Sequence, residues 1–448
     1  MYIDLYFRSE VMFSVIISTY NGSKNIIHTI ENIVESLNNF NYEIIIINDG
    51  STDDTRELLE DYKDNIQFKI FDQLNKGISA SRNRGIRHLS DKSNYVVFID
   101  DSDTVKKNFF RKIDEFFNTN KEIDVVATPL IRTNKQLKKH HSLNYRFHSN
   151  IEIVNIHKDY KYIHFHIGGM AFRKEVFKNE YYRFDEKLHF WEDAKFINNL
   201  LLDKEKYGLI HDTAYFYNSE NPNSLSKSAW TLEERYIPLI ENSYMFLIEQ
   251  SNKKFDKTIK YVQFLIGTHY IEYLKEHNQN KIINSPFFDR EEFEKSSRVL
   301  FENIDSNIIY DLKTHYSYKN YMLNLKGEKL ITSKFSNQLS VYMHSFNLVN
   351  RNITFTFSNE TCSLPSDSEV YIEFLGDKMK KASLIRQRSF KILGKSFSDF
   401  SRNIYQVKLP LISIFTGSRM LIVQNDITYK INNPSIMNRV LKNIKKTK

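Results

Sequence analysis

The sequence has few of the residues that break a chain or cross-link it. Among its 448 residues are only 12 glycines, 7 prolines and one cysteine, Cys362. The low glycine and proline content argues against long disordered stretches. A single cysteine excludes an intrachain disulfide framework and a thiolate metal cluster, which predicts a reducing compartment such as the cytoplasm.

Long apolar runs are also missing. No run approaches the roughly 20 residues that a membrane helix needs, and the first residues lack the pattern of a signal peptide. The hydrophobic content of 41% and the aromatic content of 14% nevertheless suffice for the cores of two or three domains. The net charge of +8 is compatible with a nucleotide, an anionic polymer or a phospholipid surface as partner, without choosing among them.

The first hundred residues alternate between short apolar runs and amphipathic segments. An alternating strand–helix order predicts a parallel, doubly wound α/β sheet with right-handed crossovers. The expected strands lie at residues 13–17, 43–47, 66–71 and 96–99, with a helix between each pair.

A cluster of aspartates follows the fourth expected strand. Asp100, Asp101 and Asp103 come directly after the apolar run 96–99. Their mutual repulsion is tolerable where a divalent cation lies among them, and hard oxygen ligands suit Mg²⁺ or Mn²⁺. The same residues also fit a turn that caps a helix over 106–117. Taken alone, the cluster does not decide between the two interpretations.

Polar residues follow three of the expected strands. Asn21, Asp49 and Asp101 stand at successive strand ends, and ligands bind at this edge of an open α/β sheet. A nucleotide would explain the set, because Asp49 can accept hydrogen bonds from a base or ribose. Arg82 can lie against the diphosphate as a fixed cation. A Rossmann dehydrogenase is disfavoured, because no G-x-G-x-x-G motif follows the first strand.

Four segments resemble, in order and in spacing, the motifs of family 2 glycosyltransferases with the GT-A fold. They are 14–21 (SVIISTYN), 48–53 (NDGSTD), 75–85 (NKGISASRNRG) and 98–103 (FIDDSD). The resemblance extends over about residues 12–225. It implies an enzyme that transfers a sugar from a nucleotide-sugar, commonly a UDP-sugar, with the help of Mn²⁺ or Mg²⁺.

The resemblance also implies roles for individual residues. Thr19, Tyr20 and Asn21 would line the nucleotide pocket, and Asp49 would hold the base. Arg82 would contact the nucleotide or its diphosphate. The resemblance thus implies a nucleotide site made of Thr19, Tyr20, Asn21, Asp49, Arg82, Asp100 and Asp101.

The metal motif departs from the family's usual pattern. The family commonly reads Phe-Leu-Asp-Ser-Asp-Asp where this chain has Phe-Ile-Asp-Asp-Ser-Asp, so Ser102 stands where the metal-binding aspartate is expected. Either Asp103 binds the metal after a shift of one residue, or Asp101 and Asp103 share it.

Further along, 167–177 resembles the family's acceptor-side segment, in which Gly168 and Gly169 would let a sugar approach the backbone. The family places its catalytic base at a pair matching Glu192 and Asp193. Asp193 would then take the proton of the acceptor hydroxyl, and Glu192 would position substrate. Trp191 would stack on a sugar or belong to the core. The reaction implied is a direct displacement that inverts the anomeric configuration.

Two other functions fit parts of the same sequence. A sugar nucleotidyltransferase should carry a glycine-rich phosphate loop after the first strand, where this chain has only Gly22. A non-catalytic carbohydrate-binding or scaffold protein on a degenerate transferase domain is supported by Ser102. The presence of Asp193 and Arg82 argues against it.

The C-terminal half lies outside the resemblance. Residues 231–278 have a helical period, and from about residue 338 the period changes to two, which predicts a small antiparallel β domain, such as a sandwich. Three roles fit this domain equally: binding an acceptor polymer, forming oligomers and stabilising the enzyme. The basic tail 439–448 suits an anionic membrane surface or a frayed soluble end.

Together these observations predict a GT-A transferase of surface polysaccharide or teichoic acid synthesis. We expect it to be cytoplasmic, with peripheral contact at the inner face of the membrane. Its expected partners are a nucleotide-sugar and a glycan, lipid-linked or polymer acceptor, with homo-oligomers open and no nucleic acid. The expected divisions are a catalytic domain 12–228, a helical linker 229–335, a β-rich domain 336–432 and the basic tail 433–448.

Overall fold

The computed structural model describes residues 9–134, 138–220, 229–347, 349–374, 378–411, 418–425 and 427–431. The chain divides into two compact units, Met1–Ile266 and Gly267–Lys448. Among the residues described, no helix is both long and apolar enough to cross a membrane. The predicted basic tail 433–448 lies outside the described residues.

The first unit is built on an eight-stranded sheet. Its strand order is β3-β2-β1-β4-β10-β6-β11-β9, and a second, four-stranded sheet has the order β5-β12-β7-β8. Strands β1 to β4 are mutually parallel, as the sequence predicts, and β10 runs antiparallel to β4. The strands are β1 (Ser9–Thr19), β2 (Phe40–Asn48), β3 (Phe68–Asp72), β4 (Tyr95–Asp100), β5 (Thr104–Val105), β6 (Val125–Ala127), β7 (Leu130–Thr133), β8 (Lys138–His140), β9 (Ile153–Asn155), β10 (Met170–Arg173), β11 (Lys206–Leu209) and β12 (Tyr215–Asn218).

Helices cover this sheet, and their buried faces follow the helical period. In the first helix Ile26, Ile30 and Ile33 are fully buried, and burying each such side chain contributes about 1.5–3 kcal/mol. The helix predicted over 106–117 begins only at Phe109, because residues 104–105 pair as a short strand. The helices are α1 (Ile26–Ser36), α2 (Thr55–Glu60), α3 (Ile78–Arg87), α4 (Phe109–Thr119), α5 (Glu192–Lys204), α6 (Ile237–Leu239), which a π-helical turn Ile240–Tyr244 joins to α7 (Met245–Phe255), and α8 (Lys260–Leu274).

The second unit combines helices with an antiparallel β region. Two four-stranded sheets have the orders β13-β14-β20-β17 and β16-β15-β21-β22, and residues of both sheets share one hydrophobic core, as in a sandwich. Its elements are α9 (Glu276–Ile283), α10 (Arg290–Glu302), α11 (Ser306–Asp311), α12 (Tyr316–Leu325), β13 (Val341–Asn347), β14 (Asn352–Phe357), β15 (Glu369–Phe374), β16 (Lys378–Lys381), β17 (Ser383–Arg386), β18 (Ser389–Ile392), β19 (Lys395–Ser398), β20 (Ile404–Lys408), β21 (Arg419–Gln424) and β22 (Ile427–Ile431). The mixed α/β fold with a helical segment and a C-terminal β-rich region is thus confirmed.

Candidate active site

The sequence-predicted residues of the first unit meet at the carboxyl edge of the parallel strands. Thr19 ends β1, Asp49 follows β2, and Asp100 ends β4. Because β1 pairs in parallel with both β2 and β4, these three ends lie side by side. The backbone N–H of Asp49 donates to the carbonyl of Thr19 at 2.9 Å, which joins two of the ends directly.

The loop after β1 is fixed by hydrogen bonds to the loop after β2. Asn21 adopts a left-handed conformation with φ of 55°, and its side-chain oxygen accepts from the backbone N–H of Thr52 at 2.7 Å. Its own backbone N–H donates to the hydroxyl of Ser51 at 2.9 Å. The ring of Tyr20 beside it is half exposed. The two loops therefore form one preformed wall at the sheet edge.

Gly22 lets this wall approach the aspartates. A Cβ atom at Gly22 would lie 2.4 Å from Oδ2 of Asp101 and 2.4 Å from Oγ1 of Thr19. The Thr19 hydroxyl itself donates to Asp101 Oδ2 at 2.6 Å. A side chain at position 22 would push this hydrogen-bonded pair apart, so the contact requires glycine.

Asp49 organises the segment before α3. One of its carboxylate oxygens accepts from the Gln73 side chain at 2.7 Å and from the Lys76 N–H at 2.9 Å. The other accepts from the Gly77 N–H at 2.8 Å. Asp49 thereby fixes the loop that leads into the helix bearing Arg82. Its predicted contact with a base stays a prediction.

The three clustered aspartates have three different environments. The Asp100 side chain is 43% exposed, Asp101 is half-buried and Asp103 is buried. Burial raises the pKa of Asp101 to about 6, although hydrogen bonds from Thr19 and Tyr20 act in the opposite direction. A carboxyl group whose charge is disfavoured by burial and by acidic neighbours is a place where a cation would be favoured.

Asp103 is held by the closing strand. Its Oδ2 accepts from the Tyr215 hydroxyl at 2.7 Å, and its Oδ1 accepts from the Asn218 N–H at 2.8 Å. Burial and the charge of Asp100 raise the pKa of Asp103 well above its usual range. Tyr215 also accepts from the Asp100 N–H at 3.2 Å. Asp103 thus attaches β12 to the end of β4.

Arg82 connects the aspartate cluster to the predicted catalytic pair. This guanidinium on α3 is 4% exposed and donates to Asp100 at 3.1 Å, to Glu192 at 3.4 Å and to Asp193 over a short contact. Burial opposes its charge, but the three carboxylates prevail and raise the pKa of Arg82. The side chains of three separate elements, α3, β4 and α5, are thereby drawn to one point.

The predicted catalytic pair, Glu192 and Asp193, opens α5. Oδ2 of Asp193 accepts from the backbone N–H of Ile167 at 3.1 Å, while its Oδ1 is bonded to Arg82. Burial and the charge of Asp193 raise the pKa of Glu192 to about 8, although Arg82 acts to lower it. The two adjacent carboxyl groups therefore differ: Glu192 is 8% exposed and favours its protonated form, whereas Asp193 is fixed by a cation and an amide.

The predicted acceptor-side residues have packing roles in this structure. Trp191 is buried near Phe165 and Tyr244, with a left-handed φ of 69° just before the catalytic pair. A Cβ atom at Gly168 would meet the Tyr215 ring at 3.0 Å, and Gly169 has a φ of +79°. Contacts of Trp191, Gly168 and Gly169 with an acceptor stay predictions.

The residues suit a divalent cation bound together with a diphosphate. No preformed group of three metal-ligating side chains occurs in the part of the chain that the structure describes. Mg²⁺ in nucleotide enzymes commonly uses only one or two carboxylates, because phosphates and water complete its shell. Oδ2 of Asp101 accepts from Thr19, whereas both oxygens of Asp103 accept hydrogen bonds from other elements. Asp101 therefore suits this purpose better than Asp103.

Sequence reasoning missed the bridging role of Tyr215. The segment 215–218 resembles the one that closes the family's active site, but that resemblance assigns no bond to Tyr215. Residues 223–226, which share the resemblance, lie outside the described residues. The adjacent histidines His140 and His141 have no carboxylate or cysteine near them in the sequence, which disfavours a metal site there. In the structure His141 instead accepts the Leu143 N–H at 3.3 Å and caps a 3-10 turn over Ser142–His148.

Comparison with known proteins agrees with the fold and with the motifs. The model of the Glycosyl transferase family 2 matches residues 14–180. Minor teichoic acid biosynthesis protein GgaA of Bacillus subtilis is 28% identical over 96% of this chain and 98% of its own length. Protein GgaB of the same organism, of the same description, is 31% identical over 51% of this chain and 27% of its own length.

A solved structure shares the fold. The structure of S. aureus TarS residues 1–349 in complex with UDP-GlcNAc matches with a TM-score of 0.54 and 15% identity, covering 78% of this chain and 97% of that one. At this identity the likeness concerns the fold.

Proposed function

We propose that this chain, whose residues 14–180 match the model of glycosyl transferase family 2, transfers a sugar from a UDP-sugar to a hydroxyl of a teichoic acid or a similar surface-glycan precursor. Support for the acceptor class comes from the description of GgaA, which aligns with nearly the whole chain. Support for the donor comes from TarS, whose structure was solved with UDP-GlcNAc and with UDP.

The donor nucleotide would lie at the carboxyl edge of β1, β2 and β4. The joined loops after β1 and β2 present the half-exposed ring of Tyr20 there, and aromatic rings provide a stacking face for a base. Asp100 and Asp101 would face the diphosphate. Asp101, with Asp103 as the second candidate ligand, would hold Mn²⁺ or Mg²⁺, which when bound neutralises charge on the leaving diphosphate.

The catalytic step is carried by the pair at the start of α5. Asp193 would accept the proton of the acceptor hydroxyl as the hydroxyl oxygen forms its bond to the anomeric carbon. The bond from that carbon to the diphosphate breaks at the same time, so the configuration inverts. The single observation that carries this assignment is the bonding of Asp193 to both Arg82 and the Ile167 amide, which fixes the carboxylate in one orientation.

Arg82 has a positioning role in this scheme. Its three carboxylate contacts place Asp193 and Asp100 on either side of one guanidinium. The proposed proton acceptor, Asp193, would therefore stay at a fixed distance from Asp100, the carboxylate that would face the diphosphate. The contact of Arg82 with the diphosphate that the sequence predicts would require one of these carboxylates to give way when donor binds.

The cellular setting follows the proposed acceptor. We expect action at the cytoplasmic face of the membrane, where lipid-linked precursors are made. Contact of the basic tail 433–448 with that face, homo-oligomers and the role of the second unit stay predictions.

Nucleotide binding measured by calorimetry tests the proposal. UDP, GDP and CDP are titrated with and without Mn²⁺ into the wild type and the separate variants Asp101→Ala and Asp103→Ala. The exposed Asp91→Ala serves as a charge-matched control. We expect metal-dependent UDP binding that Asp101→Ala weakens more than Asp103→Ala. Failure of every nucleotide to bind in a metal-dependent way would refute the proposal.

A further inference from the structure

A second buried arginine of the first unit has no acidic partner. Arg146, in the 3-10 turn after β8, is 3% exposed, and no carboxylate of the described residues pairs with it. Its Nε donates to the carbonyl of Leu143 at 3.0 Å, and its Nη1 contacts His164 Nδ1 and the Tyr207 hydroxyl. These partners are neutral. They satisfy part of the hydrogen-bonding capacity of the Arg146 guanidinium but do not balance its positive charge.

An unbalanced buried charge is unusual in a protein. Buried charges are normally paired, because removal from water costs several kcal/mol per ion. The contact with Arg146 makes Nδ1 of His164 a hydrogen-bond acceptor, and Nε2 then donates to the His166 carbonyl at 2.7 Å. His164 is therefore neutral and leaves the positive charge of the Arg146 guanidinium unbalanced.

The surroundings of Arg146 reinforce its positive potential. No acidic residue occurs in the sequence from 125 to 151. Burial and the charges of Arg146 and Arg132 lower the pKa of His166 to about 4. Burial, His166 and the same two arginines lower the pKa of His141 to about 3.

Part of this group reaches the surface. Arg132 on β7 is exposed and pairs with no carboxylate of the described residues. His141 and His166 are half-buried residues whose ring centroids lie 4.7 Å apart. Since Nδ1 of His141 accepts the Leu143 N–H, the neutral ring carries its hydrogen on Nε2. That N–H is a donor with no described acceptor.

The group adjoins the proposed proton acceptor. His166 directly precedes Ile167, whose backbone N–H binds Asp193. The carbonyl of His164 accepts from the side chain of Asn198, on the same helix as Asp193, at 2.9 Å. An anion bound beside His166 would therefore adjoin the segment that binds Asp193 and its helix.

We propose that Arg132, His141 and His166, with the charge of Arg146 behind them, form a subsite for a phosphate group of the acceptor. The inference rests on the proposed function and specifies the acceptor as phosphate-bearing. Guanidinium and imidazole N–H groups are suited to phosphate oxygens, and a pocket wall of one charge sign raises the local concentration of an anion. The subsite uses none of the residues proposed to bind the donor nucleotide or its metal.

Phosphorus NMR tests the subsite directly. The full chain, saturated with UDP and Mg²⁺, is titrated with glycerophosphoglycerol, a phosphodiester whose signal is distinct from those of UDP. Uncharged diglycerol is the matched ligand control. We expect the diester to bind while UDP is bound. Arg132→Ala should weaken this binding about tenfold, as expected for one charge-assisted hydrogen bond, and leave the affinity for UDP unchanged.

Two further variants keep the result interpretable. Arg146→Met should weaken diester binding as well, and Arg111→Ala, an exposed arginine on α4, should have no effect. Three results would each overturn the subsite. They are displacement of the diester by UDP, absence of diester binding while UDP binds, and equal weakening of the binding of both ligands by Arg132→Ala. Loss of UDP binding in the wild type would refute the proposed function instead, and the diester titration without UDP would still decide the subsite.

Discussion

Two arginines of the first unit are buried to almost the same extent and have opposite surroundings. Arg82 is 4% exposed and Arg146 is 3% exposed. Arg82 bonds to three carboxylates, whereas Arg146 bonds to a carbonyl, a hydroxyl and a neutral imidazole. The first charge is neutralised within the protein and orients acidic groups. The second leaves a positive potential that an incoming anion can neutralise.

Under the proposed function, the two arginine regions serve two different steps of substrate handling in the same reaction. The acid-rich centre around Arg82 is suited to accepting a proton and facing a metal-bound diphosphate. The region around Arg146, which pairs with no carboxylate of the described residues, would hold an anionic part of the acceptor under the proposal. Substitutions that exchange or remove these charges should therefore affect stability and ligand binding in opposite ways.

Arg82→Met should have the largest effect on stability. Removal of the guanidinium leaves Asp100, Glu192 and Asp193 without their shared cation, and loss of one partner of a buried ion pair costs about 3–5 kcal/mol. We expect the free energy of unfolding in urea at pH 7 to fall by about 3 kcal/mol or more. A loss under about 1 kcal/mol would mean that the carboxylates do not depend on Arg82.

Glu192→Gln should change the pH dependence of stability. The pKa of Glu192 is raised from 4.5 to about 8 by burial and by Asp193, so the native state binds the proton more tightly than the unfolded state. Its contribution is therefore complete below about pH 4.5 and is lost as the pH rises through about 8.

The measurement is urea unfolding of both proteins from pH 5 to pH 9. We expect the wild type to lose stability across this range more steeply than Glu192→Gln, with the exposed Glu249→Gln behaving like the wild type. Equal slopes for wild type and Glu192→Gln would show that Glu192 ionises normally.

Arg146→Met should have the smallest effect on stability. Three hydrogen bonds are lost, each contributing about 1 kcal/mol, but removal of an unpaired buried charge offsets most of that cost. Thermal unfolding at pH 7 should show a change of about 1 kcal/mol or less. A loss equal to that of Arg82→Met would remove the difference between the two regions.

Local sequence patterns were sufficient to predict the sheet and the edge at which the site lies. The apolar runs of β1, β2 and β4 and the polar residues that follow them specified the positions of Asn21, Asp49 and Asp101. Their meeting point follows from parallel pairing alone, because the ends of adjacent parallel strands coincide. The family resemblance then added Asp193, which no periodicity could have identified.

Long-range contacts were not predictable in the same way. The Tyr215 hydroxyl reaches Asp103 across 112 residues of sequence, and no local pattern encodes that bond. The isolation of Arg146 likewise depends on which residues of distant segments pack around it. Its sequence signal is the absence of acidic residues from 125 to 151, which does not by itself identify a buried arginine.

The most direct test of the proton-transfer assignment is the Asp193→Asn variant. Release of UDP from a panel of UDP-sugars is measured with wild type, Asp193→Asn and the control Arg111→Ala, alongside calorimetric UDP affinity. The amide keeps the shape of the side chain but cannot accept the proton. We predict turnover about 10²–10⁴-fold lower in Asp193→Asn, with metal-dependent UDP binding retained. Wild-type turnover in this variant would contradict the account.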